Sequence, residues 1–425
     1  MSQLHLNSDG LKLLPDDEAM RIAETFDLME ISSGGAASQF YVDPYPVYHA
    51  LRMFDPVHRM ADGSLFLTRY ADLERIYKDT TLFSSDKKEE FAPKFGDGLL
   101  FQHHTTSLVF NDPPLHTRVR RIIAGALTPR AIADMEAPVV KLVDRLLDHM
   151  AEQDSVDLIE DFASAIPVEV IGNMLGVPRD EREPLRDWSL AILGALEPAP
   201  SAELVAHAEN SVRDFLGYLE ELVALRRRVP GDPAKDVLTR LIEGEIDGER
   251  LSEVQLLQNV IFLLNAGHET TTNLIGNGLA TLLEWPAEKQ RLIDEPKLIN
   301  FAVEEFLRFE SSNQLGNRRA TAETEIGGKA VSKGTQITLA IGAANRDPAQ
   351  FERPDILDVG RRPNRHLAFA SGAHQCVGMN VARLEGRVAI GRFLKRFPNY
   401  QLSAPPTRGG RVRFRGFLSL PAVLD

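Results

Sequence analysis

Apolar residues recur three and four positions apart along most of the chain, and this spacing predicts a mainly helical protein. The pattern is nearly continuous from Pro113 to about Leu283, where prolines and Asp/Gly breaks separate the helical blocks. Alternation with a period of two is limited to short stretches, of which 64–68 predicts a strand and 325–334 a hairpin. Helical spacing returns at 377–397, before strand-like pieces close the chain. The fold class that follows is mainly α with minor β.

No repeat, low-complexity segment or linker interrupts this pattern, so we expect a single domain over residues 21–425. Residues 1–20 are predicted to form a flexible N-terminal arm. This arm lacks an apolar stretch of the ~7–15 residues that a signal peptide needs, and no run of ~20 apolar residues predicts a membrane span. We therefore expect a cytoplasmic protein with no membrane partner.

The net charge of the chain indicates which kinds of molecule it can bind. The chain has 425 residues, 43% of them hydrophobic, which suffices for a large core. Its 61 acidic and 48 basic side chains give a net charge of −13. An acidic protein is repelled by phosphate backbones, so no nucleic acid is expected as a partner.

The longest predicted helix contains an unusual polar segment. Ser252 followed by Gln255 predicts a capping box, and Pro286 ends the apolar run, which gives a helix of roughly 50 Å. Its apolar character on nearly all sides predicts burial, yet residues 265–273 are largely polar. Gly267 costs about 1 kcal/mol relative to alanine within a helix. Such departures favour a functional site, although a polar bend against a neighbouring helix is the alternative.

The chain contains a single cysteine, which lies in the motif Phe369-x-x-Gly372-x-His374-x-Cys376-x-Gly378. One thiol forms neither an internal disulfide nor a Cys-rich zinc or iron–sulfur site. A lone sulfur between glycines, with a predicted helix after it, suits an axial iron ligand. The alternatives are a buried inert cysteine and a cysteine nucleophile that uses His374 as its base.

Four separated motifs together resemble the cytochrome P450 family of the soluble bacterial type. They are the cysteine motif at 369–378, Glu305-Phe-Leu-Arg308, the helix centre at 266–271, and 116–120 at the start of a helix. The resemblance extends from about Asp43 to the C-terminus. It implies the cytochrome P450 fold, in which a long central helix crosses over the haem and the β-sheets are small.

The resemblance also implies the groups that bind haem b. Cys376 is expected to be the metal ligand, a thiolate that is axial to the haem iron, and Gly372 and Gly378 are expected to let backbone N–H groups approach the sulfur. His116, Arg120, Arg318 and His374 match the positions that bind the haem propionates. Glu305, Arg308 and Arg361 are expected to form a structural, buried charge network behind the cysteine loop. The full expected cofactor-binding set is His116, Arg120, Ala266, Arg318, Phe369, Gly372, His374, Cys376 and Gly378.

Glu269 and Thr270 match the acid–alcohol pair of the family, and they are the expected catalytic residues that supply protons for the reduction of dioxygen. This pair favours a dioxygen-dependent enzyme. No credible G-x-G-x-x-G segment for a flavin or nicotinamide follows a strand. Electrons are therefore expected to come from NAD(P)H only indirectly, through an iron–sulfur ferredoxin and its reductase. Basic residues near the cysteine side, Arg118, Arg121 and Arg365, are either a docking patch for that donor or a solvated surface.

We expect the substrate pocket to be lined by Phe101, Leu108, Phe262, Asn265, Asn313, Gln314 and Phe417. Ser312 and Asn313 stand where the family usually has proline and an aliphatic residue, which favours a compact, largely apolar substrate with a polar handle. His103 and His104 are predicted to be surface loop residues.

These features predict a haem-thiolate monooxygenase that hydroxylates, or oxidatively dealkylates, a small-to-medium hydrophobic substrate. The alternative is a haem-thiolate protein that binds or isomerises a ligand without inserting oxygen. A cysteine hydrolase is the weaker rival, because it gives no reason for Arg120, Arg318 or the polar segment of the long helix.

Overall fold

The structure is a computed structural model that describes residues 10–32, 38–233, 236–246 and 249–424. Helices dominate it, as predicted. In chain order the α-helices are Asp16–Thr25 (α1), Leu28–Ser32 (α2), Ser38–Val42 (α3), Tyr45–Phe54 (α4), Tyr70–Lys78 (α5), Lys88–Phe95 (α6), Leu99–Thr106 (α7), Leu115–Ala126 (α8), Pro129–Met150 (α9), Ala165–Leu175 (α10), Glu183–Gly194 (α11), Ala202–Arg228 (α12), Val237–Glu243 (α13), Glu253–Glu284 (α14), Pro286–Asp294 (α15), Ile299–Phe309 (α16), Ile341–Ala344 (α17) and Met379–Arg396 (α18).

The strands are short, and they form small sheets at the edge of the helical part. They are Val57–Arg59 (β1), Leu65–Leu67 (β2), Phe83–Ser84 (β3), Val156–Asp157 (β4), Glu245–Ile246 (β5), Glu249–Arg250 (β6), Leu315–Ala320 (β7), Thr324–Ile326 (β8), Lys329–Val331 (β9), Gln336–Ala340 (β10), Gln401–Leu402 (β11), Thr407–Arg408 (β12), Phe417–Ser419 (β13) and Pro421–Val423 (β14). The largest sheet has the order β1-β2-β10-β7-β3, with β10 parallel to β2 and antiparallel to β7. The predicted hairpin is confirmed as the antiparallel pair β8 and β9.

Helix α14 joins two hydrophobic cores. Its first part, with Val260 and Leu264, packs in one core, and its last part, with Ile275 and Leu279, packs in the other. The predicted capping box is confirmed, because Ser252 and Gln255 bond each other's backbone N–H groups. The polar segment therefore falls between the two cores, where a cavity can form without exposing apolar surface.

The predicted long helix is confirmed, because α14 continues through the polar segment without a break. The hydroxyl groups of Thr270 and Thr272 donate hydrogen bonds to the backbone carbonyls of Ala266 and His268, one turn earlier in the helix. Gly267 instead permits a close helix contact, since a Cβ there would lie 2.1 Å from Cδ1 of Ile171 on α10. Among the described residues, no helix combines the length and the apolar character that crossing a membrane requires.

The predicted flexible arm needs correction at residues 10–20, while residues 1–9 lie outside the described residues. Helix α1 runs across the expected boundary at residue 20 and contacts α4. Ala19 and Ala23 are buried in that contact, and the backbone N–H of Lys12 donates to Oδ2 of Asp355 at 2.8 Å. Small alanine side chains allow this close packing, and they give a weaker sequence signal than larger apolar residues do.

Candidate active site

A cavity of about 350 Å³ lies between the middle of α14 and the loop that leads into α18. Its walls are mostly apolar, with a few polar and cationic side chains. The sequence-predicted residues that line it are Leu108, His116, Arg120, Phe262, Asn265, Ala266, Thr270, Asn313, Arg318, Phe369, His374, Cys376 and Gly378. Residues from four distant motifs are thus brought to one enclosed space.

Cys376 lies at one side of this cavity, just ahead of α18. Its side chain is accessible, and that accessible surface opens into the cavity it lines. Burial among protein atoms raises the pKa of the thiol, while hydrogen bonds from the backbone N–H groups of Gly378 and Met379 and the charges of Arg120 and Arg383 act in the opposite direction. Burial has the larger effect, so these donors and charges offset it only in part. A sulfur aimed into an enclosed cavity with these donors would fit a thiolate ligand of haem iron.

Gly372 does not line the cavity, so the predicted role in approaching the sulfur belongs to Gly378 and Met379 instead. Gly372 has φ of +70°, and a Cβ there would lie 2.4 Å from the carbonyl oxygen of Tyr77. Both conditions require glycine. Its function is to fold the loop tightly against α5, which sets the position of Cys376 four residues later.

His116, Arg120, Arg318 and His374, here called the basic rim, border the cavity. The two imidazoles face each other with ring centroids 3.9 Å apart. Burial lowers the pKa of His116 to about 4 and that of His374 to about 2, with the neighbouring arginines adding to both shifts. Both ring nitrogens of His116 and Nε of Arg318 are buried without a hydrogen-bond partner among the described residues. Such orphaned donors fit the two carboxylates of haem, which they would hold.

Two neighbours of the basic rim were not predicted from the sequence. Ser85 places Oγ 3.2 Å from Nε2 of His374, and the ring of Tyr77 lies 5.1 Å beneath the guanidinium carbon of Arg318. Neither residue belongs to a motif, because each is brought to the rim by an element that is distant in sequence. These contacts orient the side chains that would bind the cofactor.

Glu269 and Thr270, the acid–alcohol pair, point in different directions from α14. Thr270 faces the cavity, while Glu269, about 100° further round α14, does not line it. The Glu269 carboxylate instead accepts hydrogen bonds from Nη1 of Arg411 at 2.7 and 2.9 Å. Burial raises the pKa of Glu269 to about 7, against the opposing effect of Arg411. The pair therefore consists of a Thr270 hydroxyl at the cavity wall and a titratable Glu269 carboxyl on another side of the helix, outside the cavity.

The expected charge network behind the cysteine loop is present. The side chains of Glu305 and Arg308 are fully buried, with Nε and Nη2 of Arg308 at 2.8 and 2.7 Å from the carboxylate oxygens of Glu305. Nε of Arg361 donates to the same carboxylate at 3.1 Å. Asn364 and the backbone N–H of Asp358 complete its hydrogen bonds, and neither was predicted. The carboxylate thus holds α16 against the segment that leads to the cysteine loop.

Three predicted pocket residues do not reach the cavity. Gln314 points away from it because side chains alternate along an extended segment, and its neighbours Asn313 and Leu315 occupy the wall. Gln314 donates from Nε2 to the carbonyl of Ser311 instead. Phe417 is buried in the core beneath the guanidinium of Arg408.

The third, Phe101, lies on the opposite side of α7 from His103, about 200° away on the helix. The prediction for His103 and His104 as surface residues is wrong, since both are buried and line the cavity. Burial lowers the pKa of His103 to about 4, and its Nδ1 lies 2.9 Å from Oε1 of Gln258. Helix α7 gives a weak sequence signal because its polar and apolar residues are not separated onto opposite faces.

The cysteine loop, the basic rim and the long helix above them define a haem-thiolate protein. The family model described as Cytochrome P450 matches residues 54–414, and the chain belongs to this family. It is 34% identical to the biotin biosynthesis cytochrome P450 of Bacillus subtilis, over 88% of this chain and 94% of that protein. It is 37% identical to the vitamin D(3) 25-hydroxylase of Pseudonocardia autotrophica, over 86% of this chain and 89% of that protein.

A solved structure extends this similarity to three dimensions. The crystal structure of P450BioI in complex with hexadec-9Z-enoic acid ligated acyl carrier protein matches with a TM-score of 0.86 and 32% identity. The match covers 91% of this chain and 100% of that chain. The expected family and fold class are therefore confirmed.

Membership of this family defines the class of enzyme and its cofactor. The protein is a cytochrome P450 monooxygenase, an oxidoreductase that uses haem b and dioxygen, with reducing equivalents that originate from NAD(P)H and arrive through partner proteins. When bound, haem supplies the redox-active iron at which dioxygen is activated. The protein's own contribution is to aim backbone N–H groups and arginine charges at the sulfur, to supply the side chains that would bind the propionates and to exclude water from the apolar cavity.

Proposed function

We propose that this enzyme hydroxylates, or oxidatively dealkylates, a small-to-medium and largely apolar organic substrate. The observation that carries the proposal is the shared cavity, in which the sulfur of Cys376 and the hydroxyl of Thr270 face a mostly apolar space. Such a space binds apolar molecules and excludes the water that would compete with them. The names of the relatives, a vitamin D(3) hydroxylase and a complex with a fatty acyl chain, concern apolar molecules and support this class.

In this proposal Thr270 and Glu269 are the catalytic residues. The Thr270 hydroxyl, which now donates to the carbonyl of Ala266 at 2.8 Å, holds a proton at the cavity wall. Glu269 restores that proton from outside the cavity, because a carboxyl with a pKa of about 7 exchanges protons readily at neutral pH. Water is required to connect the two groups, since Glu269 is turned toward Arg411.

The electron donor in this proposal is a separate iron–sulfur ferredoxin with its reductase. Arg118, Arg121 and Arg365 supply positive charge on segments near the cysteine side, which would steer an acidic donor toward that face. We place the enzyme in the cytoplasm, where a free thiol remains reduced. We further propose that the chain forms a single domain that starts before residue 21, since α1 crosses that boundary and packs on α4.

A non-oxygenating haem-thiolate protein is the second candidate, and one observation favours it. Glu269 forms an ion pair behind the helix instead of lining the cavity, so the proton supply depends on its exchange through water. An enzyme that isomerises a bound ligand does not need this supply.

The test uses purified protein that carries haem. The reduced carbon monoxide complex should show the red-shifted Soret band of thiolate ligation, and Cys376→Ser should abolish that band. A screen of apolar ligands, monitored by the spin-state change of the haem, then identifies a substrate. Turnover under labelled dioxygen should place one labelled oxygen atom in the hydroxylated product or, after dealkylation, in the aldehyde that leaves. Turnover in which neither carries the label would overturn monooxygenation and favour the second candidate.

A further inference from the structure

Arg413 is a cavity residue that no motif predicts. Its backbone carbonyl accepts from the N–H of Gln314 at 2.8 Å, which fixes the C-terminal segment against the strand β7 region. Its guanidinium donates from Nε to the carbonyl of Leu196 and from Nη1 to the carbonyl of Leu315, each at 3.0 Å. The side chain is therefore held in one position on the cavity wall.

The guanidinium of Arg413, which lines the cavity, has N–H groups left over. A guanidinium carries five N–H groups in a planar fork, and the two carbonyls use only one on Nε and one on Nη1. Among the described residues, the remaining N–H groups of Arg413 have no acceptor within hydrogen-bond distance. One N–H group on Nη1 and two on Nη2 are thus left, and such groups can pair with the two oxygens of a carboxylate.

The described acidic side chains near Arg413 do not hydrogen-bond its guanidinium. Burial lowers the pKa of Arg413, and the charges of Glu197 and Glu90 oppose this shift. The Glu197 carboxylate accepts from the backbone N–H groups of Val412 at 2.9 Å and Arg413 at 3.2 Å, and Glu90 is paired with Lys87. Lys94 lies close enough for the charge of Arg413 to lower its pKa, which burial and this repulsion bring to about 8. Among the described residues, the guanidinium of Arg413 therefore has carboxylates near it but none bonded to it.

The haem does not account for this charge. The basic rim supplies two arginines and two histidines for two propionates, and Arg413 is additional to that set. Arg413 contacts Leu196, and the same cavity has other apolar lining residues, among them Leu193 and Phe262. The arrangement is a cationic point at the end of an apolar space, which fits a molecule with one anionic end.

We propose that Arg413 binds a carboxylate of the substrate, so that the substrate class is an apolar carboxylic acid such as a long-chain fatty acid. This inference rests on the proposed function. The carboxylate pairs with the remaining N–H groups on Nη1 and Nη2, and the apolar chain extends along the cavity toward the haem.

The experiment compares ligands that differ only in charge. Hexadecanoate and its methyl ester are titrated against the haem-loaded enzyme near pH 8, and binding is measured from the spin-state spectrum. The acid should bind the wild type about 10- to 100-fold more tightly than the ester, as charge-assisted pairing predicts. Arg413→Gln should lose this preference, while Arg413→Lys should keep part of it.

A matched control variant distinguishes a contact at Arg413 from a change in overall charge. Arg396→Gln removes the same charge at an exposed position, 54% accessible, and should retain the preference. Equal affinity for acid and ester in the wild type would overturn the proposal, whatever the variants do. Loss of haem from Arg413→Gln, with the preference intact in residual holoenzyme, would assign Arg413 to a propionate instead. Absence of the thiolate spectrum in the wild type would refute the proposed function itself, which is a distinguishable result.

Discussion

Replacing Glu305 by alanine tests whether the buried charge network holds the cysteine loop in place. The Glu305 carboxylate is fully buried and accepts from both Arg308 and Arg361. Its partner Arg308 is also fully buried, and its other hydrogen bonds are to the carbonyls of Asn345, Pro354 and Ile356, which carry no charge. Removal of the carboxylate therefore leaves a buried guanidinium without a counter-charge.

The expected loss of folding free energy in Glu305→Ala is large relative to the net stability of a folded domain. Breaking a buried pair by removing one partner costs about 3–5 kcal/mol. A folded domain has only about 5–15 kcal/mol of net stability, so Glu305→Ala should lose a substantial part of it. Because Glu305 also bonds the backbone N–H of Asp358 and Nδ2 of Asn364, the segment before the cysteine loop loses its anchor as well. We expect weak haem retention in addition to lower stability.

The measurement is urea unfolding followed by tryptophan fluorescence, with haem content from the Soret absorbance of the same samples. Glu136→Ala is the matched control, since it removes a carboxylate that pairs with Arg387 at 2.8 Å but is 45% exposed. An exposed pair contributes at most about 1 kcal/mol, so the control should remain near wild type. If Glu305→Ala proves no more destabilised than this control and keeps its haem, the network has no structural role.

Two further predictions concern the proton supply. Thr270→Ala should still consume electrons but release peroxide in place of product, whereas Thr272→Ala, which lies outside the cavity wall, should remain coupled; equal coupling in both variants would contradict a role for Thr270. Since the carboxyl of Glu269 has its pKa raised to about 7 by burial, it loses its proton as the pH rises through that value, and coupled turnover of the wild type should fall there. Glu269→Gln should be slow without this pH step, and Arg411→Gln should move the step to higher pH because it removes the opposing charge. A step that is unchanged in both variants would refute this reasoning.

The sequence predicted those parts of the site that come from contiguous segments. The loop before α18 carries its own geometry, since Gly378 and Cys376 lie two residues apart and the helix start follows at once. The ends of α14 were predictable for the same reason, because the cap at Ser252 and the stop at Pro286 are local signals. Local chemistry within a few residues determines such features, so an unaligned sequence is enough to locate them.

Which other residues line the pocket depends on the direction in which each side chain points from its strand or helix, and on contacts between segments that are distant in sequence. Whether Gln314 or Asn313 faces the cavity is decided by the phase of one extended segment, and a shift of one residue exchanges them. Glu269 and Thr270 differ in the same way by one step around a helix. Arg413 reaches the cavity only because the C-terminal segment pairs with residues 313–314, about a hundred positions earlier. Composition carries no signal for such pairings.

The cavity wall differs in charge from the chain as a whole. The whole chain has a net charge of −13, yet the side chains that keep a charge at this cavity wall are the arginines Arg120, Arg318 and Arg413. Burial raises the pKa of Glu385, a carboxyl on the same wall, to about 8, so it is mostly neutral at pH 7. The two rim histidines have lowered pKa values and are neutral as well. Two haem propionates would neutralise two of the arginines, and in our proposal Arg413 then pairs with a substrate carboxylate. Glu197 and Glu90 act on the charge of Arg413 without hydrogen-bonding its guanidinium. Because the chain is acidic overall, we expect anionic substrates to be selected by contact in the cavity, and only weakly by long-range attraction.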